Sequence, residues 1–467
     1  MNRTEISASR RSGRIARTAA LIVGIVLVLQ GPATSASAAS PAPVALKQIG
    51  PGIGGFVSDN VSYLGTIPLD SPGVGGRVVK VGKQVRFYVT GLKGLSIYDV
   101  TDPALPIPLG TFPFPHAQNE DVEVSEDGKR VIISADGALL IPIFPHSRGI
   151  HVIDTSNPMM PTLLGSINEG NHTSTCADAK CEWLYGSSGN IYDARDPANI
   201  KNVGQWSPTS SGGHDLNRDA TGLVISDTSP RYVLDPRKNP ANPKVIASGM
   251  PNVKIEPRYQ HNNLRPRAEK WKPRKKGSKG YNSKTLRPGE LLIANSETNI
   301  TPTCGDHGGG GIATWSMANF DKGASLKQLH AFSPMSGDYA TSGDPAINAL
   351  GCSGHWFTER NNVLAAGWYE HGIRFIKVNP TNGKLNQVGF FQPVVTEASA
   401  AYWIPGKDGA EYVYSVDYAR GIDILKFDRK GEVPTRNEFN RSWLANLDRV
   451  GALSERERYI CRIAQTQ

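Results

Sequence analysis

The chain has 467 residues, 39% of them hydrophobic and 20% charged, enough to bury a large core and too apolar for a chain disordered throughout. Its 49 glycines and 33 prolines fit many short strands joined by tight turns better than a bundle of helices. The formal charge of +9 is local: five arginines against Glu5 put +4 before residue 39, and ten Lys/Arg against Glu269 and Glu290 put +8 into residues 264–290. The rest of the chain is slightly acidic, which excludes a protein basic over its whole surface.

Residues 1–38 read as a secretory signal peptide. Arg3, Arg10, Arg11, Arg14 and Arg17 precede the apolar run "AALIVGIVLVL", and Ala36-Ser37-Ala38 offers a small-residue cleavage site. The run is shorter than the roughly 20 residues a membrane-crossing helix needs. No later segment is long and apolar enough to cross, so the mature chain is expected to be secreted or held at the cell surface. General and twin-arginine export both remain open. A linker over 39–55 follows.

Residues 56–430 repeat one phrase. "GLSIYDVTDPALPIPLGTF" (94–112) and "GIHVIDTSNPMMPTLLGSI" (149–167) share a Gly, an alternating apolar run, an Asp, an Asp/Asn-Pro turn and a closing Leu-Gly. Weaker copies begin at 189, 231, 372 and 420, and a blurred one at 310. A further pair of short strands lies upstream of each. Four strands per unit of about 40 to 55 residues is the period of a β-propeller blade. Seven units are counted. The chain opens with "NVSYLGTIPLD", which reads as a fourth strand, and its last unit stops after a third. The expected fold is therefore an all-β, seven-bladed propeller closed by an N-terminal strand that completes the last blade. The Asp of each turn (Asp99, Asp154, Asp193, Asp235) is expected to accept hydrogen bonds from backbone two residues on, a structural role.

This grammar resembles the LVIVD-repeat β-propeller family. The resemblance is carried best by Gly94–Gly110 and Gly149–Gly165; it implies a propeller in an exported or cell-surface protein and no particular reaction.

A histidine opens the innermost strand of several units: His116, His172, His214, His261 and His355. The first strand of each blade lines the central channel, so these imidazoles are expected to converge. They either hydrogen-bond to carbonyls and water, or line a small-ligand pocket, or bind a transition metal such as Cu or Zn through His172, His214, His261 and His355. Arg77, Glu397 and Tyr402 are expected to line the arc without histidines, and Asp121, Asp215 and Glu359 to orient imidazoles. His307, in a glycine-rich loop, is a further candidate at the mouth, whereas His146, His151, His330 and His371 read as solvated. Binding a small molecule or a cell-surface partner at this face is the leading reading. A metal-dependent oxidase or hydrolase and a non-catalytic interaction scaffold are the alternatives. No Walker loop, G-x-S-x-G elbow or H-E-x-x-H helix occurs.

Cys176 with Cys181, and Cys304 with Cys352, are expected to form disulfides, leaving Cys461 over. Segment 264–290 interrupts the fifth unit between its first and second strands; Trp271 and Tyr281 sit among its cations. It reads as a solvated excursion or as a site for an anionic polymer, not for a specific nucleic acid. Residues 431–467 carry helical spacing and are expected to form a short helical tail.

Overall fold

The computed structural model describes residues 41–51, 56–114, 122–135, 148–169, 171–208, 213–251, 260–297, 310–333, 353–406 and 409–430. The leader, His116, His146, His307, Asp121, Cys304, Cys352, Cys461 and the tail expected to be helical lie outside them.

Seven antiparallel sheets form seven blades. Their first strands are Gly73–Val81, Glu123–Val124, Ser174–Cys176, Leu216–Arg218, Gln260–Leu264, Phe357–Arg360 and Ala398–Pro405. Each touches the first strand of the next blade, and the seventh touches the first, so these strands make the inner ring. The outermost strand of blade 7 is Val61–Ile67, paired with Gly421–Phe427. Phe56–Val57 adds a fifth strand to blade 6. Upstream, Lys47 bridges to Thr66, while Val44 and Leu46 pack on the core between blades 7 and 1.

Apolar side chains alternate along the strands and fill the gaps between neighbouring sheets. Phe375, Trp403 and Phe427 join blades 6 and 7, and Phe87, Tyr402 and Tyr414 join blades 7 and 1. Tyr402 therefore belongs to this core: its ring meets Phe87 at 5.4 Å and its hydroxyl accepts the Gly76 N–H at 2.7 Å.

The repeated phrase has a local explanation. Asp99 Oδ1 accepts the Thr101 N–H at 2.9 Å, Asp154 the Ser156 N–H at 2.8 Å, and Asp193 and Asp235 the N–H groups of Arg195 and Arg237, each at 3.2 Å. These bonds close the turn between third and fourth strands. The Gly that opens the third strand, such as Gly149, has φ +115°, and a Cβ there would lie 2.1 Å from the Ile167 carbonyl oxygen. The Gly of Leu-Gly is required by the next blade: a Cβ on Gly165 would stand 1.8 Å from the Pro197 oxygen, in the turn of blade 3. Gly110 of blade 1 is in the same position, a Cβ there lying 2.3 Å from the Pro158 oxygen, so blades 2 and 3 each seat their turn on the outer strand of the blade before; in blade 2 that strand bulges there, between Leu163 and Gly165.

Gly165→Ala should lower the unfolding free energy by about 2 kcal/mol or more, because the backbone of the next blade must move to admit a methyl group. Urea denaturation reads this directly; a loss below about 0.5 kcal/mol would show that the turn slides away freely.

Candidate functional site

Four imidazoles from four consecutive blades meet at one end of the channel. His172 and His214 lie just before the first strands of blades 3 and 4, His261 lies at the start of the first strand of blade 5, and His355 precedes that of blade 6. Their ring centroids are 4.4 Å apart from His172 to His214, 3.9 Å from His214 to His261, and 4.2 Å from His261 to His355. His214, His261 and His355 are buried.

The backbone that carries them is latched across blades. Thr173 Oγ1 donates to the His214 carbonyl at 2.7 Å, and Asn295 Nδ2 donates to the His355 carbonyl. His355 Nδ1 lies 2.8 Å from the Ser399 carbonyl oxygen of blade 7, which favours the tautomer carrying a proton on Nδ1. Imidazoles this close cannot all be charged, since neighbouring positive rings at van der Waals distance repel strongly where water is excluded.

Two side chains not anticipated from the sequence complete the group. Glu297 follows the second strand of blade 5, and its Oε2 lies 3.7 Å from His261 Nε2. Tyr369, in the turn between the second and third strands of blade 6, donates its hydroxyl hydrogen to Glu297 Oε1 at 2.5 Å, and its ring stands 4.9 Å from His355. Tyr369 has φ +38°, an unfavourable value for a bulky residue, and is held there by two hydrogen bonds with Ala398 of blade 7. The signal for both was topological: turns between second and third strands emerge at the end where the histidines begin their strands. One ligand atom each from His214, His261 and Glu297 lie within 4.8 Å of one another.

The remaining candidates divide. Asp215 is fully buried beside His214 and accepts the Leu216 N–H at 2.8 Å. Glu397 approaches His355 from blade 7; crowding by protein atoms pushes its pKa up against the opposing pull of His355, and the residue's solvent contact tempers that shift. Arg77 instead lies in the middle of the first strand of blade 1, 3.3 Å from buried Glu123 of blade 2. Glu359 is not an orienting group for these imidazoles. It is four residues beyond His355 along the strand, accepts the Asn362 N–H, and lines a shallow recess with Arg267, Arg287 and Pro380 at the opposite end of blades 5 and 6. Desolvation raises its pKa, with Asn362 and nearby arginines opposing. The first strand simply carries it away from the mouth.

Two histidines expected to be solvated are buried. His151 is 2.7 Å from Ser166 Oγ and packs edge-on against Phe114 at 4.3 Å. His371, in the same turn as Tyr369, is 1% exposed, and burial, assisted by Arg374, pushes its pKa down to about 3. A third feature escaped the sequence reading: Asp227 and Arg231, both fully buried, pair beneath the mouth, and Asp227 Oδ2 also accepts Asn263 Nδ2 at 2.7 Å. Cys176 and Cys181 form a disulfide.

No protein-family profile matches the chain, and no curated protein matches it. Among solved structures, it is similar to the β-propeller domain of Cps50 (Swd1) from Myceliophteria thermophila, with 12% identity over 79% of this chain and 100% of that one and a TM-score of 0.51. A putative 6-phosphogluconolactonase from Bacteroides uniformis aligns with 13% identity over 72% of this chain and 95% of that one, TM-score 0.43. The N-terminal domain of Nup159 aligns with 10% identity over 83% and 99%, TM-score 0.45. At these identities the likeness concerns the fold alone.

The burial of His371 has a consequence for acid stability. Its folded pKa lies below the unfolded value of about 6.5, so its contribution is complete above pH 6.5 and is lost as pH falls through 6.5 towards 3. Between pH 6.5 and pH 5 this amounts to about 2 kcal/mol. Urea titrations across that range should show His371→Gln losing stability less steeply than the parent; parallel slopes would contradict the assignment.

Proposed function

We propose that this protein is an exported binding propeller whose channel mouth holds a transition-metal ion through His214, His261 and Glu297, with His172 and His355 adjoining. The observation that carries the reading is the convergence of two buried imidazoles and one buried carboxylate, from blades 4 and 5, on a single point. A mixed nitrogen and oxygen set suits Zn, Cu, Fe or Ni rather than Mg or Ca. The crowding of the rings supports the neutral, ligating form of the imidazoles. Tyr369 holds Glu297 by one oxygen and leaves the other directed towards His261. Export is supported by the leader-like first 38 residues and by the disulfide, which fits an oxidising compartment.

Untagged protein exposed to Zn(II) or Cu(II) and then desalted should keep about one ion per chain by elemental analysis, since among the described residues the other convergent group, Glu123 with Cys176 and Cys181, has its sulfurs joined in a disulfide. The double substitution His214→Ala and His261→Ala should keep none while retaining the parent's circular dichroism. Metal absent from the parent, or retained by the folded double variant, would overturn the reading.

Tyr369→Phe removes a hydrogen bond to a ligating carboxylate and should weaken metal affinity about tenfold or more, the usual range for a lost outer partner. Competition with a chromophoric chelator measures this; an unchanged affinity would leave Tyr369 with a packing role only.

A further inference from the structure

We infer that the insertion in blade 5 is a lysine platform that docks a linear phosphodiester polymer at the end of the propeller away from the histidines. The first strand of blade 5 begins with Gln260 and His261 and ends at Leu264, where the insertion leaves; it returns at Leu291. The platform and the mouth therefore lie at opposite ends of the same strand, and one can be occupied without covering the other.

The insertion is built rather than loose. Arg274 is buried at its centre: the guanidinium forms a fork with Glu290, at 2.8 and 2.6 Å, and also donates to the carbonyls of Gly280, Tyr281, Ser283 and Thr285. Arg287 pairs with Glu290 at 3.0 Å. Arg265 pairs with Asp219 at 2.6 Å, donates to the Gly289 carbonyl, and lies over Trp271 and Phe320. Leu286 N–H donates to the Thr381 carbonyl, tying the insertion to blade 6. The lysines take the opposite role. Lys270, Lys272, Lys275, Lys276, Lys279 and Lys284 are all exposed, and none forms an ion pair among the described residues. Glu269 is the one exposed acid among them.

Fork-shaped cations thus fold the insertion, and point-charge cations face outward. A lysine ammonium attracts phosphate without demanding an orientation, which suits a flexible chain of repeating anions. Trp271 is half-buried with its ring on Phe320 at 4.9 Å, Tyr281 is half-buried as well, and Leu286 is buried, so the insertion presents no fully exposed ring or apolar side chain of this kind for stacking on bases or entering a bilayer. What remains outward is charge on a folded support. That favours a polymer over a nucleobase or a lipid surface.

The test uses the full mature chain, immobilised poly(glycerol phosphate) and a series of salt concentrations. If all six lysines engage phosphates, the plot of log affinity against log salt should have a slope of about −4, taking about 0.7 per contact for a single flexible chain. Lys275→Gln/Lys276→Gln/Lys279→Gln should roughly halve that slope, and the sixfold Lys→Gln variant should not be retained. Metal content and thermal unfolding should stay as in the parent, since these side chains are exposed. Equal slopes for parent and variants would overturn the proposal. So would sedimentation with phosphatidylglycerol vesicles in the absence of polymer binding. The His214→Ala/His261→Ala protein should bind the polymer normally, so the metal reading and the platform can fail separately.

Discussion

The ring depends on hydrogen bonds thrown sideways from one blade to a backbone carbonyl of its neighbour. The innermost strand of every blade is a sheet edge, and its carbonyls that the blade's own ladder leaves over need partners from outside the blade. Thr173 and Thr175 of blade 3 answer carbonyls of His214 and Leu216 in blade 4. Asn263 of blade 5 answers Ile225 of blade 4, and Asn295 answers His355 of blade 6. Thr358 of blade 6 reaches Ala401 of blade 7, and Ser399 of blade 7 reaches Val74 of blade 1. Each bond satisfies a buried acceptor and sets the angle between adjacent sheets.

Two of these acceptors belong to channel histidines, so the bonds that hold the blades together also place the imidazoles. Closely spaced rings would separate if the blades could tilt; the latches and the apolar seams behind them prevent it. The cost of gathering polar groups here is met by pairing: Arg231 with Asp227, Arg374 with Gln392, and Tyr369 with Glu297. Strain at Tyr369 is tolerated because both of its backbone groups are tied to blade 7.

The two ends of the propeller use charge differently. At the mouth, polar side chains are buried and paired with one another, as Glu297 is with Tyr369 and Asp227 with Arg231. At the other end, exposed lysines stand on a scaffold whose own charges are neutralised inside it. A propeller allows this separation because its two sets of connections emerge on opposite rims.

Repetition made the architecture legible. The opening Gly, the turn Asp and the Leu-Gly pair recur because the same backbone conflict is solved in successive blades, and a local solution leaves a local trace. The convergence of His172, His214, His261 and His355 was readable for the same reason, equivalent positions in a repeat sharing one axis. What sequence could not supply was anything decided between blades or across a turn. Glu297 and Tyr369 sit in irregular turns with no common pattern, and Glu359, near His355 in the chain, is carried by an extended strand to the far rim. The buried states of His151 and His371, and the split of the basic insertion into internal arginines and external lysines, follow from packing partners distant in sequence, which only the folded ring brings into contact.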